Sequence, residues 1–230
     1  MGKRLITQRR GRGGSHYRSP SHRHVDDVRL PGFDTGAGVI KDLIQAPGRT
    51  SPLAVIEFDG KTDYQLAVEG TKVGQRLTVG GTQVVAGNIT VLSNIPEGTS
   101  VHNIEAKPGD GGKFVKTAGS SATIVSRGDK VMVQMPSGAM KEFTPSCRAA
   151  IGVVAGGGRG DKPLAKAGKN YLTLRSRSTA NKKVKGVAMN AVDHPHGGGS
   201  HPHVGGPNCQ KRTASPGQKV GFLPPKKKRK

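Results

Sequence analysis

The sequence predicts an all-β protein, and three observations carry that prediction. Short runs rich in Val, Ile, Leu, Phe and Thr recur along the middle of the chain. Turn residues such as Asp-Gly, Gly-Gly, Gly-Asn and Pro-Ser-Gly separate them. Almost no segment sustains a 3.6-residue apolar period beyond two helical turns. Strands at such spacing build sandwiches or barrels, and about 120 residues of them suit two small barrels better than one large one.

The elements follow in order from about Gly38. "LAVIEF" (53–58) runs into Asp59-Gly60, a two-residue hairpin signal, and then "DYQLAV" (63–68). "RLTV" (76–79), "QVVAG" (83–87) and "ITVLS" (89–93) come next. A break is expected near Asn94-Ile95-Pro96-Glu97-Gly98. Beyond it lie "SVHNIEA" (100–106), "KFVKTA" (113–118), "SATIVS" (121–126), "KVMVQM" (130–135), "AMKEFT" (139–144) and "CRAAIGVVA" (147–155). Val131, Val133 and Met135 alternate with Lys130, Met132 and Gln134, as a half-buried strand requires. Pro136-Ser137-Gly138 then turns the chain towards Met140 and Phe143. Residues 1–24, and the chain beyond about Gly156, are polar, basic and glycine-rich. Alone, neither buries enough apolar surface to offset chain entropy.

Charge is partitioned along the chain. The net charge is +22, of which residues 1–24 carry +7, residues 25–155 carry none and residues 156–230 carry +15. A neutral body with two basic arms points to a polyanion, nucleic acid first. The arms have no apolar face for a membrane surface, and no run approaches the ~20 apolar residues of a membrane span. The N-terminus lacks the apolar segment of a signal peptide, and Gly11, Gly13 and Gly14 break the amphipathic helix of a transit peptide. Cys147 and Cys209 stand far apart without a C-x-x-C pair, so neither a disulfide framework nor a zinc ribbon is expected, and a reducing compartment is.

Several motifs resemble sites. Gly156-Gly157-Gly158-Arg159-Gly160-Asp161-Lys162 suggests a phosphate loop, but Pro163 follows Lys162, and Asn170 follows Gly168-Lys169. Arg159-Gly160-Asp161 spells an adhesion tripeptide by chance. "PGDGGKF" (108–114) sets glycines beside Lys107, Lys113 and Lys116. It is either a tight inter-strand loop or a loop whose backbone approaches a sugar-phosphate chain. The closing "KKKRK" reads as an import signal, a solvated tail or a phosphate-binding tail.

"GVAMNAVDHPHGGGSHPH" (186–203) gathers His194, His196, His201 and His203 beside Asp193. The H-x-H-x4-H-x-H spacing matches no structural zinc site, so no metal is expected. Catalysis by His194 with Asp193 is chemically open, but the stretch offers neither a nucleophile nor a rigid scaffold. Packing against structured RNA accounts for histidine, glycine and charge together. Imidazoles stack on bases or donate to phosphates and 2′-hydroxyls, and Gly197, Gly198 and Gly199 let the chain lie flat. With no Trp and only eight Phe and Tyr, the chain lacks the stacking platforms of a single-strand binder, so folded RNA is the better ligand.

"GVAMNAVDHPHGGGSHPH", "PGDGGKF", "MPSGAMKEF" followed by "CRAAIGVVAGGGR", and "RRGRGGSHYRSPSHRH" together resemble the universal large-subunit ribosomal protein L2 family. The likeness extends over nearly the whole chain, to the archaeal branch first and the eukaryotic cytosolic form second. It implies a basic N-terminal arm (1–34), an OB-like RNA-binding barrel (35–93), an SH3-like barrel (94–160) and a basic C-terminal extension (161–230). It implies a structural role in the cytoplasmic ribosome, with large-subunit rRNA and other ribosomal proteins as partners. Contacts with the small subunit, and support of tRNA binding and of the peptidyl transferase centre, come with it. No cofactor is implied, and no enzyme activity is expected. A histidine of the "DHPHGGG" motif has been proposed to assist peptide bond formation, and by motif that residue is His194. Expected RNA contacts are Arg9, Arg10, Arg12, His22 and Arg23 in the first arm. Lys107, Gly111, Gly112, Lys113, Arg148, Arg159 and Lys162 are expected in the body and just beyond it. Asn190, Asp193, His194, His196, Gly197, Gly198 and Gly199 complete the set. The alternatives are protein-assisted peptidyl transfer by His194, and a nuclear or chromatin-associated protein, which "PPKKKRK" motivates.

Overall fold

A computed structural model describes residues 5–177 and 184–222. The "KKKRK" tail lies outside the described residues. The chain divides into two units, residues 21–164 and residues 1–20 with 165–230.

The first unit is all β, as the sequence predicts. Its strands are β1 (Gly36–Ile44), β2 (Leu53–Phe58), β3 (Lys61–Leu66), β4 (Arg76–Val79), β5 (Ile89–Val91), β6 (Ser100–His102), β7 (Ala122–Ser126), β8 (Val131–Gln134), β9 (Met140–Phe143) and β10 (Arg148–Ile151). They join in the order β3-β2-β1-β4-β5-β10-β6-β7-β8-β9. All pairings are antiparallel except β4 with β5.

The local chemistry follows the strand rules. In β2, Ala54, Ile56 and Phe58 are buried while Val55 and Glu57 are not, a period of two. Asp59 (φ 45°) and Gly60 (φ 78°) both take positive φ, which makes the β2–β3 turn type I′, the turn whose twist matches its strands. Between β8 and β9, Met135 donates to the Ala139 carbonyl at 2.9 Å and Gly138 donates to that of Met135 at 2.8 Å.

Three buried apolar clusters lie along the sheet: a small one of Val28, Ala46, Leu53, Leu66 and Val154, and two larger cores. One of the larger cores holds Ile40, Ile56, Phe58, Leu77, Val79, Ile89 and Ala150. The other holds Leu92, Ile95, Val101, Ile104, Ile124, Val131, Val133, Phe143, Ala149 and Ile151. Strand β10 serves both, because Ala150 points into one core while Ala149 and Ile151 point into the other. All four of its residues are buried. A strand buried on both faces reads as a continuous apolar run, and "CRAAIGVVA" is that run.

Two expected strands take another form. Residues 83–87 are a loop with Val84 and Val85 nearly half exposed. The amide of Thr78, free for a neighbouring strand, donates instead to Asn88 Oδ1 at 3.0 Å, and Asn88 Nδ2 donates back to the Gln83 carbonyl at 3.1 Å. A side chain replaces the ladder there. Residues 113–118 make a single bridge, Ile104 to Phe114, because Val115 adopts φ 57°, a left-handed conformation that ends a strand.

The second unit contains helices where no regular element is expected: α1 (Ile6–Arg10) and α2 (Ala167–Ser176). Leu172, Leu174, Lys169 and Arg175 are favourable helix formers. No residue of α2 is buried, so its sequence shows no apolar stripe for periodicity to detect. Ser19 Oγ donates to the Ser176 carbonyl at the end of α2, 3.0 Å away.

Candidate nucleic-acid interface

The loop after β6 is held from beneath by a buried carboxylate. Glu105 is fully buried, and its Oε1 accepts from Arg148 Nη2 at 3.0 Å and from the Gly111 amide at 3.3 Å. Its Oε2 accepts from the Arg148 amide at 2.9 Å. Arg148 Nη1 donates to the carbonyls of Pro31 (2.9 Å) and Phe33 (3.1 Å). Leu30 donates to the Gly111 carbonyl at 2.8 Å, so the segment before β1 is stitched to the same loop.

From above, Asp110 fastens the turn. Its Oδ1 accepts from the Gly112 amide at 3.0 Å, and its Oδ2 from the amides of Ala106 (3.0 Å) and Lys107 (3.3 Å). Burial alone raises this carboxyl, but those three amides and Lys113, 3.5 Å away, hold it below its ordinary value. Gly112 has φ 83°, and a Cβ there would strike the side chain and carbonyl of Asn103. The glycine permits a close backbone approach to another segment of the protein. The amides of Ala106, Lys107, Gly111 and Gly112 are taken by the protein's own carboxylates, and the side chains of Lys107 and Lys113 are exposed.

Beside the loop, cations from three distant stretches converge. Half-buried Lys116 donates from Nζ to the Val28 carbonyl at 3.0 Å. Burial, and then the neighbouring Arg49, push its ammonium below its ordinary value. Arg29 adds to this, while Asp110 and Asp27 oppose it. Arg49 Nη2 is fixed by the Asp26 carbonyl at 3.0 Å, and the Arg29 stem lies against Gly111. The His24 ring sits where a Cβ of Gly48 would project. Positive groups crowded at a half-buried surface favour an anion among them, and a phosphate oxygen fits that demand.

In the second unit, the histidine stretch folds on itself. The amides of Asp193 and His194 both donate to the Asn190 carbonyl, at 3.0 and 3.2 Å. Gly197 donates to the His194 carbonyl at 2.9 Å, and Gly198 to that of Met189 at 3.0 Å. The His194 ring occupies the space beside Gly186, and Gly197 approaches the Met189 and Asn190 carbonyls too closely for any Cβ. The His196 amide donates to His194 Nδ1 at 3.0 Å. The two rings meet edge to face with centroids 4.9 Å apart. Burial, and then His196, lower the His194 pKa. Because Nδ1 accepts the His196 amide, the proton of the neutral His194 ring resides on Nε2.

Comparison with known proteins decides the family. The family model "Ribosomal Proteins L2, C-terminal domain" matches residues 85–219. "Large ribosomal subunit protein uL2" of Thermoplasma acidophilum is 52% identical over 100% of this chain and 98% of its own. That of Archaeoglobus fulgidus is 52% identical over 97% and 96%, and that of Picrophilus torridus 48% identical over 100% and 99%. The chain belongs to the ribosomal protein L2 family.

In this L2-family chain the expected contact residues fall into three groups. Lys107, Lys113, Arg159, Lys162, His22 and Arg23 are exposed in the first unit or at its end, and Gly111 and Gly112 are the buried residues of the loop itself. Arg9, Arg10, Arg12, Asn190 and Gly199 are exposed in the second, with Asp193, His194, His196, Gly197 and Gly198 half-buried; Arg10 lies 5.9 Å from the Tyr17 ring. Arg148 is turned inward, its guanidinium bonded to Glu105, Pro31 and Phe33. The four C-terminal histidines do not converge: His203 Nδ1 pairs with the His201 carbonyl at 2.5 Å, apart from the His194–His196 pair. Among the described residues, no three His, Cys, Asp or Glu side chains gather as a metal site, and no helix is long and apolar enough to cross a membrane. Sequence reasoning missed Arg29 and Arg49 and gave Lys116 no role. Each is a lone cation in a neutral stretch, and only the fold brings them together. Arg29 and Arg49 lie outside the predicted strands, whereas Lys116 falls within the run 113–118 that reads as a strand, so no shared linear signal marks the three.

Proposed function

We propose that this chain is a structural, rRNA-binding constituent of the large ribosomal subunit, working in translation within the cytoplasmic ribosome beside other ribosomal proteins. The observation that carries this reading is the convergence of Arg29, Arg49, Lys113 and Lys116 at the fixed loop 107–113. The relatives' name, large ribosomal subunit protein, agrees with it.

Residues 35–93 are read as an OB-like barrel and 94–160 as an SH3-like barrel, supported by the two larger cores that share β10. The arms 1–34 and 161–230 follow rRNA into the subunit, where Arg9, Arg10, Arg12 and Lys162, with Arg159 at the end of the second barrel, neutralise phosphates. Each phosphate neutralised contributes roughly −0.7 to −0.9 to the salt slope of binding. The Asn190–Gly199 loop packs on RNA near the peptidyl transferase centre, and His194 donates from Nε2 to an RNA oxygen rather than acting as a base. Support of tRNA binding and of subunit joining, through small-subunit contacts, belongs to the same reading.

The direct test is co-sedimentation of the tagged chain with large subunits after a high-salt wash, with duplex DNA as competitor. Retention on subunits against excess DNA is expected. Release from subunits together with tight duplex binding would replace this reading with a chromatin-type role.

A further inference from the structure

We propose that Glu105 and Arg148 form a positioning pair. It locks the 107–113 loop to the segment before β1, so that Lys107, Lys113 and Arg29 meet one RNA backbone in fixed register. The inference rests on the RNA-binding reading above and adds residues that never touch RNA.

Three observations converge. The first is burial: Glu105 has no exposed surface and Arg148 is 9% exposed, so both act through their neighbours. The second is connectivity. Glu105 grips the Gly111 amide on the loop side, while Arg148 grips the Pro31 and Phe33 carbonyls on the other. The Leu30–Gly111 bond and the Arg29 stem against Gly111 close the gap between the two segments.

The third is energetic. Desolvating two opposite charges cancels most of their attraction, and apolar replacement of a buried ion pair is often neutral or stabilising. Core stability alone therefore does not require ions here. Holding a loop and a remote segment in one register does require a group with many directional bonds. Arg148 supplies them with a planar fork that reaches a carboxylate and two carbonyls at once. Register matters because phosphate contacts fix how a protein sits on its RNA. A loop ordered in advance also loses less entropy on binding.

The experiment measures binding of the full chain to large-subunit rRNA transcripts across a salt series. It compares Glu105→Gln, Arg148→Lys and the triple variant Arg29→Ala/Lys107→Ala/Lys113→Ala, with circular dichroism as the check on folding. Arg148→Lys keeps a cation against Glu105 and leaves the Glu105–Gly111 bond in place, so it is the milder variant.

The triple variant is expected to reduce the magnitude of the salt slope by roughly 2.1 to 2.7, the sum for three phosphate contacts. Glu105→Gln is expected to remove much of the same amount while folded. Adding it to the triple variant is expected to cost little more, because the same contacts are already gone. A purely structural pair would lower the melting temperature and the active fraction but leave the slope untouched. Folded variants with an unchanged slope, additive losses, or loss of folding in both single variants would each overturn the proposal. A wild-type chain with no salt-dependent binding would instead overturn the RNA-binding reading beneath it.

Discussion

The backbone amide of His196 donates to Nδ1 of His194 across 3.0 Å, in the motif that most resembles an active site. That bond decides the tautomer. In a triad-like unit Nδ1 carries a proton towards a carboxylate, and Nε2 is the free base. Here Nδ1 accepts and Nε2 is protonated, so the ring is arranged as a donor.

His194 is accordingly expected to remain neutral at pH 7 in the free chain. Nitrogen chemical shifts should report the Nε2–H form and titration below pH 6.5, because burial and His196 both lower its pKa. In particles assembled with His194→Gln, single-turnover peptide transfer should equal that of wild type. A loss of ~10²-fold or more, the scale for removing a general base, in normally assembled particles would contradict this.

His102 is a pH-sensitive element of the body. Its Nδ1–H donates to the Gly152 carbonyl at 3.0 Å, and burial pushes its pKa down to about 4 against that bond. The unfolded chain takes up this proton near pH 6.5, the folded one only near 4. The stability His102 contributes is therefore complete above about pH 6.5 and is lost as pH falls to about 4. The loss amounts to roughly 3 kcal/mol. Thermal melts between pH 7.5 and 4 should show it, and His102→Gln should flatten that part of the profile. An equally steep profile in the variant would assign the effect elsewhere.

Gly112 and Gly109 share positive φ, 83° and 79°, but differ in surroundings. Around Gly109 a Cβ meets nothing, so Gly109→Ala should cost only the conformational term, about 1–2 kcal/mol. Gly112→Ala adds a collision with Asn103 and should cost clearly more. It should also weaken RNA binding, because it displaces the loop. Denaturant unfolding measures both, and equal costs would mean that the Asn103 contact yields freely.

How legible this was follows from how local each signal is. The β2–β3 hairpin needs only alternation and Asp59-Gly60, and all are readable in a line of residues. Strand β10 is visible as an apolar run, but its service to two cores is not, because that depends on which strands come to flank it. Residues 83–87 have β-type composition and form a loop because Asn88 supplies the partner a strand would have supplied. Helix α2 buries nothing, so no periodicity announces it. At the site, Lys107 and Lys113 were readable beside their glycines. Arg148 was readable only as a cation, since its inward direction is set by Glu105, 43 residues away. Arg29, Arg49 and Lys116 become one feature only after the segment before β1 folds across the loop.

The proposed function comes down to a folded cation cluster that grips rRNA. The measurement that bears on it most directly is the salt dependence of rRNA binding by Arg49→Ala/Lys116→Ala beside wild type. Two lost phosphate contacts should lower the slope by roughly 1.4 to 1.8 and weaken binding most at low salt, with the fold intact by circular dichroism. An unchanged slope in the folded double variant would contradict the claim and leave RNA binding to the basic arms alone.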